Sequence, residues 1–158
     1  MNERSIATSV DAHNVSFTYP LGARPGIQGV SDVSFSVSPG QCLLITGDSG
    51  SGKSTVLKLI NGLIPHFNPG ELLGTITIIK DDQAFNPAEE PLSRAIEFSA
   101  SVFQNPRTQF FTESVNAELA FGLENLGVDP KEIESRIQSA VELLGIKDLR
   151  GRRFKELS

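Results

Sequence analysis

The stretch Gly47-Asp48-Ser49-Gly50-Ser51-Gly52-Lys53-Ser54-Thr55 fits the pattern G-x-x-x-x-G-K-[ST], with an additional glycine at Gly50. Glycines let a backbone turn sharply and approach phosphate oxygens with no side chain between, so that successive N–H groups form an anion-binding nest. A helix expected to begin near Lys53 adds the positive end of its dipole and its unpaired N–H groups. Lys53 then reaches the β- and γ-phosphates of a nucleoside triphosphate as a point charge, and the Ser54 hydroxyl suits Mg²⁺, which takes hard oxygen donors. Thr55 is expected to make a backbone or α-phosphate contact. The competing reading is a glycine-rich turn that carries Lys and Ser by coincidence. At average residue usage the pattern arises by chance about once per hundred chains of this length, and its surroundings lower that further.

Immediately upstream, Leu43, Leu44 and Ile45 form a short apolar run, which predicts a strand buried on both faces, and Cys42, in the run Gln41-Cys42-Leu43-Leu44-Ile45, is expected to be a small buried side chain. Immediately downstream, from Lys53 to Leu63, Val56, Leu57, Leu59, Ile60 and Leu63 follow helical spacing, and Pro65 stops the helix shortly after Gly62. The order is strand, glycine-rich loop, helix. Further upstream, Val15, Phe17 and Tyr19 alternate with Ser16 and Thr18, the period of a half-buried strand over residues 12–19. Turn signals at Pro20, Gly22, Pro25, Gly26 and Gly29 precede a second alternating run over 30–37, and the two are expected to pair antiparallel.

Beyond the loop and its helix, residues 74–79 read as a strand, 81–91 as an exposed acidic loop and 99–104 as another strand. Two helices are predicted over 114–126 and 130–144. Val115, Leu119 and Leu123 share a face in the first, and Ile133, Ile137, Val141 and Leu144 in the second. Pro130 suits a first helical turn, and Gly127 and Gly145 suit C-terminal stops.

Composition bounds the rest. With 158 residues, 39% hydrophobic and 21% charged, the chain is about one soluble globular domain. A formal net charge of −5 argues against nucleic acid as a partner, since a binder of that kind carries an excess of Lys and Arg on its contact face. There is no apolar run of roughly 18 residues, and the N-terminal residues lack the apolar core of a secretory signal, so the chain is expected to stay in the cytoplasm. The lone Cys42 has no partner for an internal disulfide. His13 and His66 have no Cys or carboxylate at metal-ligand spacing, which argues against zinc. Asp81-Asp82 and Glu89-Glu90 read as solvated loop charges, and Arg150, Arg152, Arg153 and Lys155 as a solvated patch.

The loop resembles the Walker A motif of ATP-binding-cassette (ABC) ATPases, and Val102-Phe103-Gln104-Asn105-Pro106 looks like that family's Q-loop. The stretch from Phe103 through Gly127, and Asn61-Gly-Leu-Ile-Pro-His-Phe, narrow the resemblance to the ATPase subunits of energy-coupling-factor (ECF) importers for vitamins and transition metals. Arg107-Thr108 depart from that branch, which more often has acidic or amide residues there. The resemblance implies an α/β P-loop NTPase fold of ABC ATPase type with an N-terminal antiparallel β subdomain. It implies ATP and Mg²⁺ as ligands, Tyr19 as the ring that stacks on adenine, and Gln104 as a magnesium ligand that orients water and links to a membrane partner. Read from the residues alone, Tyr19 is equally an ordinary core side chain at a strand end and Gln104 an ordinary loop residue. Lys53 and Gln104 are thus the catalytic candidates, and Ser54 and Gln104 the Mg²⁺ ligands. The nucleotide contacts are Tyr19, Gly47, Asp48, Ser49, Gly50, Ser51, Gly52, Lys53, Ser54 and Thr55.

The resemblance further implies a second ATPase subunit facing head to tail, a transmembrane coupling protein, and a peripheral place on the cytoplasmic face of the membrane. The family signature begins Leu-Ser-Gly-Gly, and Leu157-Ser158 match its first two residues. The expectation is therefore an N-terminal portion of one nucleotide-binding domain with an incomplete core sheet, able to bind ATP but not to hydrolyse it alone. Within it, residues 1–11 form a flexible tail, 12–104 the β subdomain and phosphate-loop core, and 105–158 the Q-loop and the start of a helical subdomain. Two other functions compete: a regulatory module that reads nucleotide occupancy without hydrolysis, and a nucleic-acid-associated ABC ATPase, which charge and the 103–127 stretch disfavour.

Overall fold

The computed structural model describes residues 7–22, 24–105 and 109–157. Pro106, Arg107 and Thr108 of the Q-loop stretch, Ser158, and most of the expected N-terminal tail lie outside these. The chain divides into two compact units, Met1–Ser101 and Val102–Ser158.

In the first unit a four-stranded antiparallel sheet runs in the order β2-β1-β3-β4, with β1 Thr8–Leu21, β2 Arg24–Val37, β3 Glu71–Lys80 and β4 Gln83–Phe85. β1 begins earlier than the alternation suggested, because Thr8 to Asp11 pair with Lys80 to Thr77 of β3. A bulge at Asn14, whose φ is +49°, inserts a residue between Ala12 and Val15. This brings both Ala12 and Val15 to the buried face, three positions apart in a structure whose side chains otherwise alternate. The turn expected over 20–29 is shorter than its glycines and prolines suggest: Leu21 already pairs with Arg24, and Gly26 and Gly29 sit inside β2. They are glycines because the neighbouring strand is close. A Cβ on Gly26 would lie 2.4 Å from the Thr18 methyl and 2.6 Å from the Tyr19 carbonyl oxygen.

Helix α1, Lys53–Ile60, buries Val56 and Leu59 against Phe17, Val15, Val30 and Ile76 of the sheet. It stops sooner than predicted, at Ile60 with Asn61 as its C-cap, and the short α2, Leu63–His66, follows Gly62 (φ +77°). A second cluster joins Ile78 and Phe85 to Ala95 and Phe98 of α3, Leu92–Phe98, with the Phe85 and Phe98 rings stacked at 4.7 Å. Residues 81–91 are therefore not one exposed loop. Asp81 and Asp82, at positive φ, make the tight turn into β4, which buries Phe85 completely, and Glu90 pairs with Arg94 rather than facing solvent alone.

Two predicted strands are absent. Residues 41–47 and 99–103 carry no regular structure, because a strand exists only through its ladder and no described strand lies beside either. Leu44 is accordingly 82% exposed, and Cys42 is exposed rather than buried.

The second unit is a helical pair, α4 Val115–Asn125 and α5 Pro130–Leu143. Ser114 caps α4 by accepting from the Ala117 N–H, and Asp129 caps α5 by accepting from the Lys131 N–H, with Pro130 in its first turn. Gly127 and Gly145, both in the left-handed region, end the two helices. Ala120, Ile133, Ile137 and Val141 form the buried seam, flanked by Leu119 and Leu123, whereas Leu144 faces solvent. Arg150, expected on a solvated patch, is instead half-buried and donates to Asn116 Oδ1 (2.7 Å), Gln138 Oε1 (3.2 Å) and Glu134 Oε2. Among the described residues no helix is long and apolar enough to cross a membrane.

Candidate nucleotide-binding site

Residues 47–52 leave regular structure because three of them occupy backbone conformations that favour glycine: Gly47 at φ +144°, Gly50 at +82° and Gly52 at +92°. Gly52 is the N-cap of α1, and no side chain caps that end. The Thr55 and Val56 N–H groups donate to the Gly52 carbonyl oxygen at 2.9 and 3.0 Å, while those of Lys53 and Ser54 precede the first intrahelical acceptor, as at any helix start. Gly52 is fixed by space as well as by φ, since a Cβ there would lie 2.3 Å from the Gly29 carbonyl oxygen and 2.7 Å from a Val30 methyl. This close approach to β2 pins the start of α1 onto the sheet.

The Lys53 ammonium folds back over the loop and donates to the carbonyls of Gly47 (2.9 Å) and Asp48 (2.6 Å) and to Ser51 Oγ (3.3 Å). Lys53 is the only cation placed inside the turn among the described residues of the loop, and it stands where phosphate oxygens could replace carbonyl oxygens as acceptors. Asp48, Ser49, Gly50, Ser51 and Ser54 are exposed, whereas Thr55 is buried. The Tyr19 hydroxyl and Thr55 Oγ1 are 3.1 Å apart, and the Tyr19 ring meets Phe17 edge-on at 4.8 Å between centroids.

Tyr19, Gly50, Gly52, Lys53, Ser54 and Thr55 share one cavity of about 230 Å³ with Ile27, Gln28 and Gly29. All ten predicted nucleotide contacts thus belong to one unit, the loop with the end of β1. Gln104 belongs to the second unit, where it is exposed in the segment before α4; the Phe103 N–H donates to Gln109 Oε1 across that segment. Sequence reasoning missed Ile27, Gln28 and Gly29. Gly29 was visible only as a turn signal, and its role in the close approach depends on a partner distant in sequence.

The residues fit a nucleoside triphosphate with Mg²⁺. The cradle at Gly52 has no room for a side chain, a cation stands over it, and the Ser54 hydroxyl is exposed at the start of α1.

A family model for the ABC transporter matches residues 30–158. The chain belongs to the ABC transporter family. It is similar to an ABC transporter ATP-binding protein of Treponema denticola, with 41% identity over 149 residues, covering 94% of this chain and 29% of that protein. It is also similar to one of Pyrococcus abyssi, with 38% identity, covering 89% of this chain and 48% of that protein. The chain therefore spans less than half the length of either relative. Among solved structures, cbiO1 from Clostridium perfringens, part of the ABC transporter complex cbiONQ, superimposes with a TM-score of 0.69 at 23% identity, covering 91% of this chain and 53% of that one. The α/β fold of an ABC ATPase, with its antiparallel N-terminal sheet, is thereby shown for this chain.

Proposed function

We propose that this chain binds ATP with Mg²⁺ through residues 47–55 and Tyr19, as the ATP-binding part of an ECF-type ABC importer that couples ATP binding and hydrolysis to uptake of a vitamin or transition-metal ion. The observation that carries the reading is the Gly52–Lys53 junction: a helix start locked to the sheet by a glycine that admits no Cβ, with the ammonium bonded across the loop. Phosphate oxygens, being anionic, make stronger acceptors for Lys53 than the two carbonyls it now holds. The backbone N–H groups of the loop and of the first turn of α1 supply the remaining donors.

In this reading Ser54 would offer a hydroxyl oxygen to Mg²⁺, a role the resemblance also gives Gln104, and the ion would supply positive charge against the charge that develops on phosphoryl transfer. Lys53 and Gln104 are the residues of this chain assigned to hydrolysis, Lys53 by holding the β- and γ-phosphates and Gln104 by orienting water. Tyr19 stacks on adenine. The ECF assignment is supported by the 103–127 stretch and by the likeness to cbiO1, itself part of an ABC transporter complex. A second ATPase subunit facing head to tail and a transmembrane coupling protein are the proposed partners, and the cytoplasmic face of the membrane the proposed location.

The test is Mg²⁺-dependent ATP turnover by the whole protein reconstituted with its membrane partners. Turnover that rises with transport supports the importer. Bound ATP that is never hydrolysed supports a regulatory module instead.

A further inference from the structure

Among the described residues Thr55 is the buried polar side chain, 6% exposed as the third residue of α1, and its hydroxyl meets the Tyr19 hydroxyl at 3.1 Å. The same pair is flanked by Gly29. A Cβ on Gly29 would come within 2.8 Å of Tyr19 Cε2 and 3.0 Å of Thr55 Cγ2. Phe17 closes a third side by its edge-on contact with the Tyr19 ring. The ring is therefore set by a hydrogen bond to the phosphate-loop helix, by a glycine beneath it and by an aromatic neighbour, at the margin of the cavity that Lys53 and Ser54 also line.

We propose that Thr55 and Gly29 are positioning residues for Tyr19. The Thr55 hydroxyl holds the ring in its stacking orientation, so that one hydrogen bond between β1 and α1 couples the base end of the nucleotide site to its phosphate end. The inference rests on the nucleotide reading above. A ring held in place before binding loses less side-chain freedom when a base stacks on it, and the affinity gained depends on the base and not on the phosphates. Thr55 thereby acts on base recognition from within the phosphate loop.

The chain has one tyrosine and no tryptophan, so its tyrosine emission reports Tyr19 alone. Calorimetry with ATP and with inorganic tripolyphosphate, paired with tyrosine emission, separates the two ends of the site. Thr55→Val keeps the shape of the side chain and removes the hydroxyl. It is expected to weaken ATP by about three- to tenfold, the size of one hydrogen bond, to reduce quenching of Tyr19 by ATP at saturation, and to weaken tripolyphosphate by a smaller factor than ATP. Thr55→Ser restores ATP affinity and quenching. Tyr19→Phe, which keeps the ring, weakens ATP comparably, and adding Thr55→Val to it costs little more, because both remove the same bond. Equal losses for ATP and tripolyphosphate in Thr55→Val, or additive losses in the double variant, overturn the proposal. If wild-type chain binds ATP with no change in tyrosine emission, the stacking role of Tyr19 fails and the coupling with it. If wild-type chain binds no ATP at all, the nucleotide reading fails first.

Discussion

At the scale of single residues, the site turns on glycines that differ in what they exclude. Gly52 and Gly50 both sit at positive φ, but a Cβ on Gly52 would enter the Gly29 carbonyl, whereas one on Gly50 would meet nothing within 4 Å. Gly50→Ala therefore carries only backbone strain, about 1–3 kcal/mol. Gly52→Ala adds a collision with backbone, which can be relieved only by moving the start of α1 off β2. Calorimetry should find ATP binding weakened in Gly50→Ala and abolished in Gly52→Ala, with the circular dichroism of the sheet retained in both; equal effects would mean that the approach to β2 is unimportant. Lys53, Ser54 and the loop glycines were legible in the sequence because their chemistry is carried by consecutive residues. The contribution of Gly29 was not, since it consists of proximity to Gly52, Tyr19 and Thr55, which only the fold creates.

Among the elements, those whose ends are marked by local chemistry were legible. Ser114, Gly127, Pro130 and Gly145 delimit α4 and α5 because capping and left-handed termination are satisfied within a few residues. The strands expected at 43–45 and 99–104 were not realised, since apolar character alone does not supply a neighbouring strand. β4 was missed because it is only three residues long, too short to show an alternation, and its burial comes from the packing of Phe85 on Phe98 and Ile78. The α4–α5 seam is the core of the second unit, and Ile137, 3% exposed, sits at its centre. Ile137→Ala should destabilise that unit by about 2–5 kcal/mol in chemical denaturation, and an unchanged midpoint would contradict the seam.

The Arg150–Glu134 pair gives this unit a pH dependence of known sign. The hydrogen bond from Arg150, with its charge in support and desolvation in opposition, holds the Glu134 carboxyl below its ordinary value of 4.5. A carboxyl depressed in the folded state stabilises above that ordinary value, and the contribution disappears as pH falls through the lower folded value. Both groups are solvent-screened, so the effect is small. The difference in melting temperature between wild type and Glu134→Gln should be present at neutral pH and vanish in strong acid; a difference that grows on acidification would reverse the assignment.

For the molecule as a whole, two units with separate cores carry the phosphate loop and the Q-loop stretch respectively. Membership of the ABC transporter family was legible from the spacing of these two motifs, and the fold followed from the family. Leu43 and Leu44 in the segment leading to the phosphate loop are exposed, Leu44 almost fully, and so are Leu73 on β3 and Ile96 on α3. Exposed apolar side chains beside unpaired backbone favour association. Light scattering after size exclusion should show the apparent mass rising with concentration, and Leu44→Ser should reduce the rise. A monomer at every concentration would contradict this.

The central claim is that residues 47–55 hold the phosphates of ATP with Lys53 as the cation. Titration calorimetry of the chain with Mg²⁺ and ATP, in parallel with Lys53→Ala, addresses it most directly. Saturable one-site binding by wild type, weakened by about tenfold or more in the variant, is the expected result. Equal affinity of the two proteins would contradict it.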